Sequence, residues 1–192
     1  MYSVNKGKLI IFSAPSGSGK TTIVHRLMQI FDCLEFSISA TSRAPRGQEV
    51  DGKDYYFLTN EEFDSRVAAD CFVEWEEVYQ GTKYGTLKSE MERIWAKNHT
   101  ILFDVDVKGG VNLKSIFGEN ALAVFVMPPS VEELRRRLVG RGTDSAEMIE
   151  RRVAKAEEEI AYADKFDRVV VNDSLEDAVE ECRRMVTDFL AV

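Results

Sequence analysis

Short apolar runs recur along the chain, and stretches with helical features separate them. The run KLIIFS (8–13) ends in a glycine-rich turn, which is the pattern of a buried strand. Three later runs predict three more buried strands: ILFDVD (101–106), ALAVFVM (121–127) and DRVVVN (167–172). Apolar strands that alternate with helices favour an α/β protein with a parallel sheet.

Capping signals and apolar spacing predict the helices. One helix should run from Lys20 to about Ile30. Thr59 with Glu62, and Ser130 with Glu133, each have the spacing of a capping box at a helix start. Further helices are predicted over 87–98, over 145–163 and from about Ser174 onward.

The segment 35–86 has a different character, because aromatic and β-branched residues alternate there with turn signals. Its predicted strands are FSISA (36–40), DYYFL (54–58) and FVEWEEV (72–78). In FVEWEEV, alternation sends Val73 and Trp75 to a core and Glu74 and Glu76 to the other face. Alternation cannot choose between the two glutamates. The segment predicts a β-rich insertion, and the arginine-rich stretch around 130–160 predicts a second, helical insertion.

Composition limits the function classes. The 192 residues fit one domain, and 44% hydrophobic with 30% charged residues is typical of a soluble globular protein. The net charge of −8 provides no general attraction for nucleic acid or anionic lipid, so a phosphate site must be local. Apolar runs such as LIIFSA and ALAVFVM are too short to span a bilayer, and no leader segment is evident, so we expect a cytoplasmic protein without nucleic-acid or membrane partners.

Cysteine and histidine offer no metal-site pattern. Cys33, Cys71 and Cys182 are widely spaced, and we expect unpaired thiols in a reducing compartment. His25 and His99 are isolated from each other and from the cysteines.

The residues APSGSGKT (14–21) match the P-loop pattern G-x-x-x-x-G-K-[ST], except that Ala14 occupies the place of the first glycine. A predicted strand precedes the motif and a predicted helix follows it. In such a loop, backbone N–H groups point at phosphate oxygens. Lys20 would reach the β- and γ-phosphates, and the Thr21 hydroxyl would bind Mg²⁺.

Two acids end the predicted strand ILFDVD. Asp104 and Asp106 lie two residues apart and therefore project to the same face of the strand. One of them could hold Mg²⁺ through water while the other meets a second substrate. The alternative is that acids merely end the strand.

A second anion site is indicated by SISATSRAPRGQEVDGKDYYF (37–57). Arg43 and Arg46 suit a phosphate, because the guanidinium plane binds two phosphate oxygens at once, and Tyr55 and Tyr84 could donate to the same group. Their spacing does not establish convergence, so a solvated charged loop stays open as the alternative.

The stretch 37–57, followed by FVEW, YGT, DVDVKGG, RRRLVGRGT and RVVVND, resembles the guanylate kinase family, and APSGSGKT agrees with it. The resemblance covers nearly the whole chain, with the motifs in family order. It implies a P-loop NTPase three-layer α/β/α core with a parallel sheet, built from 1–34, 87–127 and 164–192. It also implies a GMP-binding subdomain at 35–86 and a helical lid at 128–163.

By this resemblance the protein phosphorylates GMP and dGMP with ATP and Mg²⁺, reversibly and without a covalent intermediate or a bound organic cofactor. Arg43, Arg46, Tyr55 and Tyr84 would hold the GMP phosphate. Glu74 would accept from guanine N1–H and the 2-amino group, with Asp106 nearby, and Ser39 and Thr86 would donate toward O6. The GMP positions are Ser39, Arg43, Arg46, Glu49, Tyr55, Glu74, Tyr84, Thr86 and Asp106.

The resemblance places Arg137, Arg141 and Arg152 over the triphosphate. The catalytic residues that it implies are these three arginines, Lys20 in the P-loop and Arg43 at the GMP phosphate. The metal positions are Thr21 and Asp104. Arg135, Arg136 and Arg151 are expected on a solvated helix face instead. The ATP positions are Ala14, Pro15, Ser16, Gly17, Ser18, Gly19, Lys20, Thr21, Thr22, Arg137, Arg141, Asn172 and Asp173.

Departures from the family pattern are few: Ala14, Ser42, and Lys108 with Gly110 in DVKGG. Two other functions are weighed against a GMP kinase. A non-catalytic interaction module tends to lose the P-loop and lid residues that this chain keeps. Against a kinase for another phosphate acceptor, such as another nucleoside monophosphate or a ribose bisphosphate, Glu74 with Ser39 and Thr86 argues for guanine. The oligomeric state stays open, with a homo-oligomer as one alternative.

Overall fold

The computed structural model describes residues 7–79, 81–140, 142 and 145–191, which contain nine strands and seven α-helices. The strands are β1 (Leu9–Ser13), β2 (Leu34–Phe36), β3 (Ala40–Thr41), β4 (Tyr56–Phe57), β5 (Phe72–Tyr79), β6 (Thr82–Leu87), β7 (Thr100–Asp104), β8 (Ala121–Met127) and β9 (Arg168–Val171). The helices are α1 (Lys20–Ile30), α2 (Asn60–Ala68), α3 (Lys88–Trp95), α4 (Val107–Phe117), α5 (Val131–Gly140), α6 (Ala146–Ile160) and α7 (Leu175–Ala191).

The central sheet has five strands in the order β2, β7, β1, β8, β9. Strand β1 runs parallel to β8, and β8 runs parallel to β9. All of β1 is buried, and helices pack along the sheet: α4 on β1 and β8, and α7 on β9 and α1. The α/β fold with a parallel sheet is confirmed. Strand β8 and helix α1 have the bounds that the sequence predicts.

Helix α4 is not predicted by the sequence pattern, since glycines at 109 and 110 disfavour a helix. The Asp106 side chain starts the helix by accepting from the Gly109 N–H at 2.8 Å. A Cβ at Gly110 would overlap Ser13 Oγ and approach the Phe166 ring to 3.2 Å. Neighbouring side chains therefore fill the space beside Gly110, which gives one of the departures from the family pattern a packing reason.

A second sheet has the order β4, β3, β6, β5, with antiparallel pairing of β3 with β6 and of β6 with β5. Its core contains the stacked rings of Phe63 and Phe72, whose centroids are 4.5 Å apart, together with Ala40 and Leu87. The predicted capping box is confirmed at α2, where Thr59 and Glu62 exchange side-chain to backbone hydrogen bonds.

The second sheet differs from the sequence analysis in three ways. Strand β6 is not predicted, because TKYGTL has a glycine and few apolar residues. Of the predicted strand 36–40, Phe36 lies at the end of β2 in the central sheet and Ala40 begins β3, with no strand between them. The predicted strand 54–58 shortens to the two-residue strand β4. Trp75 was expected in a core but is 45% exposed, since β5 is an edge strand and α2 contributes only Phe63 as a buried residue beneath it.

The chain divides into two compact units. One contains Gly7 and Glu35–Ile101, and thus the second sheet with α2 and α3; the other contains Lys8–Leu34 and Leu102–Val192, with the P-loop, α5 and α6. The finer division into core, GMP-binding subdomain and lid stays a prediction.

Helices α5 and α6 share a small core of Leu134, Leu138, Ile149, Val153 and Ala156. The predicted capping box before α5 is half right. Ser130 Oγ accepts from the Glu133 N–H at 3.0 Å, but the Glu133 carboxylate accepts from Arg136 and Arg137 instead of returning to the cap. Two arginines on the same helix surface compete for that carboxylate, and a charged donor is the stronger partner.

Cys33, Cys71 and Cys182 are free thiols, as expected, and Cys182 is fully buried in α7. Burial raises the pKa of the Cys182 thiol to about 12. Within the described residues, no helix combines the length and the apolar composition that a bilayer span requires.

Candidate active site

The P-loop follows β1 and leads directly into α1. Gly17 and Gly19 have φ of 98° and 87°, values that glycine adopts far more readily than other residues. Ala14 is not in that region of φ, so an alanine in place of the first glycine carries no backbone strain there. The Ser18 N–H donates to Pro15 O at 3.1 Å, which closes the turn.

This loop forms one wall of a cleft of about 350 Å³, called here the P-loop cleft. Its lining residues are Ala14, Pro15, Ser16, Gly17, Gly19, Lys20, Thr21, Thr22, Asp104, Val105, Asp106, Arg152, Lys155 and Glu159. Eleven of these fourteen lie in 14–22, the P-loop with Thr22, or in 104–106, the end of β7 with the next two residues. The two motifs that the sequence singled out therefore lie together.

Lys20, Thr21 and Asp104 meet at the base of the P-loop cleft. Lys20 Nζ donates to Val105 O at 3.0 Å and forms an ion pair with Asp104. Thr21 Oγ1 donates to the second Asp104 oxygen at 3.4 Å. A hydroxyl and an exposed carboxylate side by side are oxygen ligands of the kind that Mg²⁺ prefers, so these residues fit the predicted metal.

Asp106 and Asp104 have different local roles. The Asp106 carboxylate caps α4, whereas Asp104 faces Lys20 and Thr21. Of the two acids, Asp104 is the one beside the P-loop hydroxyl, and its role toward a metal stays a prediction.

Two of the three predicted lid arginines lie in described parts of the chain. Arg137 donates to the Asn172 carbonyl at 2.9 Å and to Glu133 at 2.8 Å. Arg152 donates to Ser16 Oγ on the P-loop at 2.6 Å. Arg141 lies outside the described residues. Arg135, Arg136 and Arg151 pair with nearby glutamates, as expected of a solvated helix face.

The Asn172 side chain is hydrogen-bonded to the P-loop backbone. Its side chain is 5% exposed, and its amide donates to Ser18 O at 2.7 Å. A Cβ on Gly19 would overlap that amide, so glycine is needed there for space as well as for backbone conformation. Asp173 beside it is exposed. The predicted adenine contacts of both residues stay predictions.

The sequence reasoning missed Lys155 and Glu159, which line the same cleft on α6. The helical spacing from Arg152 to positions 155 and 159 was the available signal, because residues three and four apart share a helix face. Burial raises the pKa of the Glu159 carboxyl.

In the other unit, Arg43 gathers three predicted residues into one contact group, called here the arginine–tyrosine cluster: Arg43, Glu49, Tyr55 and Tyr84. The Arg43 guanidinium donates to both Glu49 oxygens at 2.6 and 2.7 Å and to the Tyr84 hydroxyl at 3.0 Å. Its carbon lies 4.9 Å from the Tyr55 ring centroid, within cation–π range. The residues therefore converge, as a phosphate site requires.

Arg46 contributes to this cluster through its backbone, since its N–H donates to Glu49 at 2.7 Å while its side chain is exposed. The Arg43 hydrogen bonds, with that of the Arg46 N–H, lower the pKa of Glu49 to about 2, and the same Glu49 bonds raise the pKa of Arg43. Burial raises the pKa of Tyr55. The cluster thus places the Arg43 guanidinium beside the Tyr55 ring and the Tyr84 hydroxyl.

Glu74 and Thr86 lie opposite each other on β5 and β6, and Thr86 Oγ1 donates to the Glu74 carboxylate at 2.8 Å. Thr86 is 1% exposed. Glu76 lies opposite Tyr84, two residues along. The register therefore separates the two glutamates that alternation could not: Glu74 is the one that a buried hydroxyl orients.

This hydrogen bond changes the expectation for Thr86. Its single hydroxyl proton is directed at Glu74, whereas the resemblance implies donation toward a guanine O6. Ser39 is half-buried, and its carbonyl accepts from the Tyr56 N–H at 2.9 Å. The roles of these residues toward a ligand stay predictions.

The comparisons agree on one family. The guanylate kinase family model matches residues 6–189. The guanylate kinase of Porphyromonas gingivalis is 56% identical over 185 residues, covering 96% of this chain and 98% of that protein. The guanylate kinase of Bacteroides fragilis is 51% identical over 191 residues, covering 100% and 94%.

Among solved structures, the guanylate kinase of Anaplasma phagocytophilum matches with a TM-score of 0.73 and 29% identity, covering 98% of this chain and 87% of that one. The fold, the P-loop and the family match therefore lead to the same conclusion. The chain belongs to the guanylate kinase family.

Proposed function

We propose that this protein transfers the γ-phosphoryl group of ATP to the phosphate of GMP or dGMP, reversibly and with Mg²⁺. The observation that carries the proposal is the second sheet, which presents an oriented carboxylate and an arginine–tyrosine cluster on one face. Tyr84 and Thr86 are two residues apart on β6 and so share a face. They hold Arg43 and Glu74, respectively.

A carboxylate and an arginine–tyrosine cluster on one face of a sheet suit a guanine nucleotide, whose base and phosphate need different partners. Guanine presents two adjacent donors, N1–H and the 2-amino group, to a carboxylate such as Glu74. Adenine presents an acceptor at N1 and no 2-amino group, so it would leave the carboxylate unpaired. Each lost charged hydrogen bond would cost roughly 1.5–3 kcal/mol. Arg43, Tyr55 and Tyr84 would hold the phosphate, with Arg46, Ser39, Thr86 and Asp106 as further GMP contacts.

Glu49 has a specific place in this proposal. It accepts one hydrogen bond from each outer nitrogen of Arg43, so it holds the guanidinium plane in a fixed orientation. A bound phosphate would accept from an Arg43 guanidinium that is already oriented. Such preorganisation lowers the conformational entropy that is lost on binding. Glu49 therefore supports the phosphate site as an orienting acid.

On the donor side, the P-loop N–H groups and Lys20 would bind the ATP phosphates. Thr21 and Asp104 would hold Mg²⁺, Asp104 in part through water. The metal would neutralise phosphate charge and orient the β- and γ-oxygens. Arg137, Arg141 and Arg152 would add positive charge around the triphosphate, with Asn172 and Asp173 nearer the adenine.

The reaction needs little proton chemistry, because the attacking phosphate oxygen of GMP is already ionised near neutral pH. Positioning and charge neutralisation then account for the rate, and no covalent intermediate or general base is required.

We also propose residues 35–86 as the GMP-binding subdomain, 128–163 as the lid, and a cytoplasmic location, where ATP and GMP are available. A homo-oligomer is compatible with this proposal.

The test is ADP release from ATP and Mg²⁺ with GMP, dGMP, AMP, UMP, CMP and dTMP at equal concentration. Turnover confined to GMP and dGMP is the expected result. Turnover with another acceptor would contradict the role of Glu74 while keeping the P-loop assignment. Binding of ATP and GMP without turnover would favour a non-catalytic interaction module instead.

A further inference from the structure

A buried carboxylate lies on α3, outside every motif of the sequence. Glu90 is 2% exposed, and both of its oxygens are used. Oε1 accepts from the Ile38 N–H at 2.9 Å and from Arg93 at 2.8 Å. Oε2 accepts from the Tyr56 hydroxyl at 2.9 Å and from Arg93 Nε at 2.9 Å. Four donors from three separate segments therefore converge on one side chain.

This carboxylate is ionised in the folded protein. Burial on its own raises the pKa of Glu90, but the hydrogen bonds from Arg93, the Ile38 N–H and Tyr56 outweigh it, so the pKa lies below the ordinary value. A buried charge with this many partners is costly to disturb, because each orphaned donor would be left without water.

Two of the four donors flank residues of the proposed GMP site. Ile38 directly precedes Ser39, and Tyr56 directly follows Tyr55. The Tyr56 N–H also donates to Ser39 O at 2.9 Å, which joins the two segments side by side. Glu90 thus ties both segments to one helix, each at the residue next to a proposed GMP contact.

We propose that Glu90 is a positioning residue for GMP binding. It holds the backbone at Ile38 and the ring of Tyr56 so that Ser39 and Tyr55 are presented to the nucleotide in a fixed arrangement. The inference rests on the proposed function, since it concerns affinity for GMP. It predicts an effect on GMP that a general loss of stability would not produce.

Glu35 supplies a matched control. It is the second carboxylate on Arg93, and it also accepts from Lys97 and His99 at 2.9 Å each. Its donors do not include Ile38 or Tyr56. Replacing Glu35 by glutamine therefore removes charge from the same network without touching the two segments that Glu90 holds.

The experiment compares Glu90→Gln, Glu35→Gln and Tyr56→Phe in steady-state kinetics, with thermal unfolding recorded for each. Glutamine at position 90 replaces one carboxylate oxygen by an amide donor, so at least one N–H group of Arg93 or Ile38 loses its acceptor, and the remaining hydrogen bonds lose the carboxylate charge. We expect the KM for GMP to rise roughly 10-fold in Glu90→Gln, with the KM for ATP and the kcat at saturating GMP within about two-fold of wild type. Tyr56→Phe removes one tether and should raise the KM for GMP by a smaller factor.

Glu35→Gln should lower the unfolding temperature while leaving the KM for GMP within about two-fold of wild type. An unchanged KM for GMP in Glu90→Gln, or an equal rise in Glu35→Gln, would overturn the inference. If Glu90→Gln does not fold, Tyr56→Phe decides the matter: a raised KM for GMP supports the inference, and an unchanged one overturns it. Absence of GMP-dependent ADP release from the wild-type protein would instead refute the proposed function.

Discussion

The P-loop cleft and the arginine–tyrosine cluster are both suited to phosphate, but they are built in different ways. The P-loop is eight consecutive residues, and its shape depends on the backbone conformation of glycines, with Gly17 and Gly19 at positive φ. Its backbone N–H groups are the donors suited to phosphate. The cluster joins side chains that are far apart in the chain, Arg43 and Tyr84 being 41 positions apart. One site depends on local backbone geometry and the other on strand register, so they should fail in different ways.

The largest expected effect is at Lys20. Lys20→Met removes the charge that the P-loop brings to the transferring phosphoryl group, so kcat should fall by about 10³-fold. GMP affinity should stay within about two-fold of wild type, because Lys20 and the arginine–tyrosine cluster belong to different units. Turnover assays and GMP titration calorimetry measure the two effects. Loss of GMP binding in this variant would contradict the separation.

Backbone geometry is tested by Gly19→Ala against Gly47→Ala. Both glycines have positive φ, so each alanine should cost about 1–2 kcal/mol of stability. Only at Gly19 would the new Cβ overlap a neighbour, the Asn172 amide; nothing lies within 4 Å at Gly47. We expect kcat/KM for ATP to fall by about 10²-fold in Gly19→Ala alone. Equal losses in both variants would show that backbone strain, and not the clash, is responsible.

Strand register is tested at Thr86. Thr86→Val removes the hydroxyl that orients Glu74 and leaves the shape nearly unchanged, so the KM for GMP should rise about 10-fold while the KM for ATP does not change. Thr86→Ser keeps the donor and serves as the control. If the serine variant is impaired as strongly as the valine variant, packing of the methyl group matters more than the hydrogen bond.

The smallest effect concerns pH. The hydrogen bonds from Arg43 lower the pKa of Glu49 from 4.5 to about 2, so the folded state binds this proton less readily than the unfolded state. The stabilisation that Glu49 provides is therefore complete above pH 4.5 and is lost as the pH falls to about 2. The unfolding temperature of wild type should exceed that of Glu49→Gln at pH 6, and the gap should close as the pH approaches 2. A gap independent of pH would contradict the pairing.

Much of the fold and the donor site was predictable from local patterns. The sequence predicts β1, α1 and β8 closely, because buried strands and an amphipathic helix leave strong apolar signals. It did not predict α4 or β6. In α4 an aspartate cap and close packing at Gly110 outweigh poor helix propensity, and in β6 pairing with two neighbouring strands compensates for a weak apolar pattern. The expectation of a buried Trp75 is wrong because alternation indicates the face of the strand on which a side chain lies, but not whether other residues cover that face.

By itself, the sequence determined the P-loop, the acid at the end of β7 and the residues that resemble a GMP site. Each of these lies in a short run of residues that can be recognised from residue types and spacing along the chain alone. Only the tertiary structure decided which glutamate Thr86 orients, how Arg43 is held between Glu49 and Tyr84, and that Glu90 joins the segments at Ile38 and Tyr56. These are hydrogen bonds between residues 6 to 52 positions apart. Such bonds form only when strand pairing and helix packing bring distant segments together, and no local pattern of residues encodes that register.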